Sequence, residues 1–141
     1  MVVLGVEVGT GFNACLLAAV ISEKDLLRFD RDHYQADLQL RIDIMESLLK
    51  NGSTRSLPRI HSGMIDTGLA RRIATTACDL ARRLNTPEKL RDCDYGRLLA
   101  WGYPERIGCR RPQSEVNYLL AGGQGAYLDP NDSLCRHEWL A

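Results

Sequence analysis

No apolar run in this sequence approaches the roughly 18 residues of a membrane-crossing helix, and residues 1–9 lack the basic region that opens a signal peptide. The expectation is a cytoplasmic protein without a membrane partner. The five cysteines, Cys15, Cys78, Cys93, Cys109 and Cys135, contain no Cys-x-x-Cys pair. Their odd number and wide scatter argue for reduced thiols rather than a disulfide framework. Cys93, Cys109 and the Cys135-Arg-His137 triplet fit no common structural zinc spacing, so no metal is expected. There is no Gly-x-x-x-x-Gly-Lys-Ser/Thr phosphate loop. No His-Glu-x-x-His helix joins His33, His61 or His137, and no Gly-x-Ser-x-Gly elbow surrounds Ser62 or Ser133. Gly122-Gly123-Gln124-Gly125 is followed by a strand-like segment, which makes it a turn and not a dinucleotide cradle. A Cys135/His137 dyad would need a third group to orient its base, and none lies nearby in sequence. Internal repeats and low-complexity segments are absent as well. Nothing in this inventory supports catalysis.

What is there is an ordinary globular composition, 45% apolar and 26% charged over 141 residues. A chain of this length forms one domain, or one and part of another, and buries roughly 68 to 70% of the surface its unfolded state exposes. The formal net charge of zero hides an uneven distribution. Residues 1–50 carry five Lys/Arg against eight Asp/Glu, residues 51–111 twelve against six, and residues 112–141 one against four. The positive field therefore belongs to the middle of the chain.

Gly5, Gly9 and Gly11 discourage a long helix at the start. A helix is expected over 13–22, capped by Asn13 or Thr10, with Leu16, Leu17, Val20 and Ile21 as its apolar stripe and Phe12 packed at its beginning. The polar run 22–25 ends it, and a charged surface connector follows over 25–34. Leu38, Ile42, Met45 and Leu49 recur at helical spacing, with Asp37, Arg41 and Lys50 facing water and Gly52 in the left-handed position that stops the helix. After a loop over 54–58, a third helix is expected over 63–84, with Leu69, Ile73, Ala77, Leu80 and Leu84 on one face. Asp92 or Asp94 caps a fourth helix through Trp101. Pro104 demands a kink near Tyr103 or a new turn that it begins. Beyond Pro112 the periodicity changes: a strand over 115–120, a glycine turn over 122–125 and a partner strand over 126–128 form a hairpin. Trp139-Leu140-Ala141 reads as the start of a further, unpaired strand. The fold class is thus mostly α, a bundle of about four to five helices followed by a β-hairpin.

Two groups of arginines could carry function. Arg71 and Arg82, and likewise Arg72 and Arg83, are eleven residues apart and stack along one side of the third helix. They form either a solvated face, partly neutralised by Asp79 beside Arg83, or a stripe that meets phosphates. Arg106, Arg110 and Arg111 make the denser cluster at the junction of the helical and β parts. Arg106 and Arg110, four apart, would share a helical face. Guanidinium pairs phosphate bidentately, and Tyr95, Tyr103, Tyr118 and Tyr127 would offer rings to unstacked bases. The alternatives are a solubilising helix end with cations at the C-terminal dipole, and tyrosines that simply line the core edge.

One stretch carries a resemblance. The run Tyr-Gly-Arg-Leu-Leu-Ala-Trp-Gly-Tyr-Pro-Glu-Arg-Ile-Gly-Cys-Arg-Arg from Tyr95 to Arg111, the run Tyr-Leu-Leu-Ala-Gly-Gly-Gln-Gly-Ala-Tyr-Leu-Asp-Pro-Asn-Asp-Ser-Leu from Tyr118 to Leu134, and Arg136-His-Glu-Trp-Leu resemble the region after the motor of HrpB-type bacterial DEAH-box ATP-dependent RNA helicases. Residues 18–27 and 37–41 are similar to the helical part before it. The resemblance implies a helicase-associated, ratchet-like helical domain over 1–111, truncated at its N-terminus, and the start of an OB-like β region over 112–141, truncated at its C-terminus. The two RecA-like motor domains, with phosphate loop, DEAH box and arginine finger, have no counterpart. The chain alone is accordingly expected to be inactive and to hold no cofactor, ATP and magnesium belonging to the parent helicase. The implied function is a non-catalytic accessory region that contributes to single-stranded RNA binding, or alternatively a structural module that packs against the motor domains or a partner protein. The nucleic-acid-binding candidates are Arg106, Arg110, Arg111, Arg97, Arg72 and Arg83; the oligomeric state is left open.

Overall fold

Residues 11–22 carry no charged side chain, so a helix formed there has no face for water and belongs in the middle of the molecule. A computed structural model of the chain describes residues 1–29, 35–52 and 63–141; His33, His61 and the expected loop over 54–58 lie outside them. Helix α2 (Gly11–Ser22) is central, with Ala14, Cys15, Leu16, Leu17 and Ala19 fully buried. Around it pack α1 (Val2–Glu7), α3 (Leu38–Asn51), α4 (Thr67–Arg83) and α5 (Tyr95–Gly102). The initial glycines shorten α1 to six residues, as expected. Gly5 also lets α1 touch α2, since a Cβ there would lie 2.5 Å from that of Ala14. Helix α4 buries Ala70, Ile73, Ala77 and Ala81 on its inner side, and the three alanines allow it to approach α2 closely.

Several local expectations hold. Gly52 ends α3 with φ 63°, as expected, while Asp37, expected only to face water, also caps the helix by accepting from the Gln39 N–H at 2.9 Å. Asp94 caps α5 through the Arg97 N–H at 3.0 Å. Pro104 begins a 3-10 turn over Pro104–Arg106.

Others are corrected. Asn13 is no cap: it sits inside α2, wholly buried, because its amide is satisfied by Arg91 and Tyr95. Thr10 occupies the cap position, but its hydroxyl donates to the Gly5 carbonyl instead of capping. Ile21 is 37% exposed rather than part of the buried stripe. The expected surface connector contains a strand, β1 (Leu27–Phe29), whose Leu27 is buried, paired antiparallel with β2 (Gly63–Ile65), where the third helix had been expected to begin. Arg41 does not face water. It is 5% exposed, because Asp25 receives its fork through Nε at 3.2 Å and Nη2 at 2.6 Å, while Nη1 donates to the Asp37 carbonyl at 2.9 Å. A guanidinium is buried at tolerable cost only when its donors are matched in this way.

The β part is a four-stranded antiparallel sheet in the order β5-β4-β3-β6, formed by β3 (Gly108–Arg110), β4 (Asn117–Leu120), β5 (Gly125–Tyr127) and β6 (Trp139–Leu140). The hairpin β4–β5 forms as expected, in register Asn117↔Tyr127. The sheet is open and does not close into a barrel among the described residues. Trp139 is not in an unpaired strand, since it lies opposite Cys109 on β3. The first strand of the sheet comes from residues 108–110, ahead of the expected division at 111. Helical and β parts are tied by Asp132, which is 4% exposed. Its Oδ2 accepts from the Ala36 N–H at 2.7 Å, and its Oδ1 caps the 3-10 turn Ser133–Arg136 through the Leu134 N–H at 2.9 Å.

Candidate nucleic-acid interface

Pro104 turns the chain out of α5, and from Gly108 it pairs with strands on both sides, so the arginine cluster is split between a turn and a strand. Arg106 lies on the 3-10 turn and is exposed; Arg110 ends β3. The shared helical face expected for these two therefore does not exist, because the helix on which four-residue spacing depends has ended at Gly102.

Arg110 and Arg111 are adjacent on extended backbone and emerge on opposite sides of the sheet. Arg110 pairs in register with Tyr118, and both reach the 3-10 turn Ser133–Arg136. The Arg110 Nη1 donates to the Cys135 carbonyl at 3.0 Å, and the Tyr118 hydroxyl donates to the His137 carbonyl at 2.8 Å and faces that of Leu134 at 3.3 Å. Arg111 is exposed, and its Nη2 lies 4.0 Å from where a Cβ on Gly125 would stand. A polar cleft of about 600 Å³ is lined by Arg110, Arg111, Gln113, Ser114, Glu115 and Glu138. A second, of about 700 Å³, lies between the helical part and the sheet, where Arg110 and Arg136 face Glu115 and Asp132. Arg106 lines neither cleft.

The remaining candidates stand apart from these clefts. Arg97 stacks over Trp101 at 4.6 Å. Arg72 is paired with Glu23 at 2.6 Å, and Arg83 is exposed with no ion pair among the described residues. Asp79 neutralises Arg82 at 2.8 Å rather than Arg83, and Glu88 meets the same guanidinium at 3.3 Å. The tyrosines divide evenly: Tyr95 and Tyr118 are buried, whereas Tyr103 and Tyr127 are 40% and 65% exposed. Sequence reasoning missed Asp132 as the link between the two parts. Its one signal was an Asp in front of a short polar turn.

Cys135 and Cys78 are poorly suited to nucleophilic work. Burial, helped by Asp132 and Asp129, pushes the Cys135 thiol up, and its Sγ donates to the Asp129 carbonyl at 3.1 Å. Burial and the neighbouring Glu88 push Cys78 up to about 11. A reactive cysteine needs the opposite shift. No group of three His, Cys, Asp or Glu among the described residues is placed to hold a metal ion. No helix of the described residues is long and apolar enough to cross a membrane.

No protein-family model matches the chain. It is 56% identical over 43 residues to the ATP-dependent RNA helicase HrpB of Escherichia coli strain K12, a match covering 30% of this chain and 5% of that protein. The crystal structure of the E. coli DExH-box NTPase HrpB superposes with a TM-score of 0.61 at 28% identity, covering 93% of this chain and 12% of the HrpB chain. Sequence and fold both match an HrpB-type helicase. The likeness to HrpB extends through helices and sheet together, so the succession of helical bundle and open sheet found here is an HrpB-like arrangement. The chain spans only a small share of the length of the HrpB protein it matches.

Proposed function

We propose that this chain is a non-catalytic accessory region of an ATP-dependent RNA helicase that contributes to holding single-stranded RNA. The likeness to HrpB over 93% of the chain, in sequence as well as fold, carries this reading. The surface chemistry supports it. Arg106 and Arg111 are exposed without an ion pair among the described residues, and Arg110 retains donors beyond the one given to Cys135. Guanidinium groups of this kind match phosphate oxygens bidentately. In this reading the sheet is the beginning of an OB-like region. The partners are single-stranded RNA and the motor domains of a larger cytoplasmic helicase, with ATP and magnesium acting in those domains.

The test is anisotropy of a labelled oligouridylate titrated with the chain at several salt concentrations. Three phosphate contacts give a log–log salt slope of about −2, from roughly −0.7 per contact on a single strand. Replacing Arg106, Arg110 and Arg111 together by Ala flattens that slope. A triple variant that binds like the parent refutes the assignment.

One observation favours a second reading, a module that packs against protein. Helix α1 exposes Val3 at 65% and, less fully, Leu4 and Val6, and Val8 just beyond it is 54% exposed. Apolar residues gathered on a short helix mark a protein contact more readily than an RNA contact. Light scattering separates the two: a monomer with RNA affinity supports the first reading, and an oligomer indifferent to RNA supports the second.

A further inference from the structure

The sheet has a face that the arginine cluster touches only through Arg111. Cys109 lies opposite both Leu119 and Trp139, and Leu119 opposite Gly125, which places Trp139, Cys109, Leu119 and Gly125 in one cross-strand row. The Arg111 N–H donates to the Asn117 carbonyl at 2.8 Å, and Asn117 lies opposite Tyr127. Arg111, Asn117 and Tyr127 therefore form the adjacent row on the same face, opposite to Tyr118. Trp139 is 62% exposed, Tyr127 65% and Leu119 44%. The position of Arg111 Nη2 beside Gly125 puts its guanidinium over this face.

We infer that this open face is a base-stacking platform for single-stranded nucleic acid, with the rings of Trp139 and Tyr127 as stacking surfaces and Arg111 as the phosphate contact. The inference rests on the RNA reading above and adds to it residues that act through ring faces instead of charge. Two features select the occupant. The two rows carry a guanidinium and no carboxylate, which suits a polyanion. A protein or a second copy laid on the face would bury Arg111 and Asn117 among apolar groups, at a cost that a phosphate and base edges remove. Strands about 4.8 Å apart put Tyr127 and Trp139 roughly 14 Å from one another across the sheet, and open four-stranded sheets take two or three bases on such aromatics.

The experiment is a titration of the whole 141-residue chain with octauridylate, read by tryptophan emission and by anisotropy, at low and high salt. Stacking of a base on Trp139 quenches its emission. Trp139→Ala and Tyr127→Ala each weaken binding about five-fold or more, with the salt slope unchanged, because a stacked base is worth at least about that factor. Trp139→Phe keeps the affinity and loses the quench. Both side chains are exposed, so the variants fold as the parent does. If Trp139→Ala and Tyr127→Ala bind like the parent while the arginine variants still flatten the salt slope, the platform is wrong and the RNA reading stands. A parent chain that binds no RNA at any salt overturns both. An oligomer that Trp139→Ala dissociates overturns the platform in favour of self-association.

Discussion

Replacing Tyr95 by Phe removes a single hydroxyl from a buried network that joins three segments of the helical part. The Asn13 Nδ2 donates to the Arg91 carbonyl at 3.0 Å and to the Tyr95 oxygen at 2.8 Å, the Arg91 N–H donates to Asn13 Oδ1 at 3.1 Å, and the Tyr95 hydroxyl donates to Glu46 Oε1 at 2.8 Å. Asn13 is fully buried, so without the phenol one of its N–H groups has no acceptor and no access to water. An orphaned buried donor of this kind costs about 1 to 3 kcal/mol. Glu46 fares better, since its side chain is 21% exposed and already holds Lys50 at 2.8 Å. The expected loss in Tyr95→Phe is therefore about 2 kcal/mol near pH 8, read from the shift in urea midpoint at unchanged slope.

The same network makes the loss depend on pH. Burial, and then the hydrogen bond to Glu46, push the Tyr95 phenol well above its ordinary value of 10.0. The folded state keeps its proton after the unfolded state has released it, so the stability supplied by this phenol is fully present below about pH 10 and is lost as pH rises further. The gap between parent and Tyr95→Phe narrows by about 1.4 kcal/mol per pH unit above 10. Raised groups that do not act on Tyr95, such as Tyr118 and Cys15, titrate in both proteins and cancel in the difference. A gap that stays constant from pH 8 to about pH 11 refutes the protonated buried phenol.

Two more predictions follow from buried charges. Asp25→Ala leaves the Arg41 fork without its carboxylate in a site where Arg41 is 5% exposed, and destabilises the fold by about 3 kcal/mol, somewhat less if water reaches the site through the partly open Asp25 position; denaturant unfolding that shows no change would sink the pairing. Asp132→Ala removes the acceptor for the Ala36 and Leu134 N–H groups, so both amides lose hydrogen-exchange protection while those of α2 keep theirs; Ala36 retaining its protection would show that the sheet is held to the helices by other contacts.

The sequence disclosed features whose causes lie within a few residues of one another. The Asp94 cap, the Gly52 stop, the Pro104 turn and the glycine hairpin are local chemistry, and each is where that chemistry puts it. What stayed hidden was set by partners far along the chain. Strands β1, β2 and β3 have three residues each, too few for alternation to register, and exist because a second strand runs alongside. Arg41 and Asn13 looked like surface and cap residues by type alone. Their burial depends on Asp25, Arg91 and Tyr95 arriving from elsewhere.

The arginine cluster shows why linear charge density misleads about a site. Three guanidiniums within six positions read as one patch, yet Arg106 stays on a turn, Arg110 goes to the face that binds the 3-10 turn, and Arg111 goes to the open face. On a strand, adjacent residues must diverge, so the step from helix to strand at Gly108 separates what a continuing helix would have gathered. The separation gives the two strand arginines different neighbours: the Cys135 carbonyl for Arg110 and the hairpin glycine Gly125 for Arg111. Asp132 meanwhile ties the sheet side to the residues before α3, its Oδ2 accepting from the Ala36 N–H at 2.7 Å. The proposed binding on the open face and the Asp132 link are two separable properties: a variant at Asp132 removes the acceptor for the Ala36 N–H and leaves Trp139, Tyr127 and Arg111 unchanged.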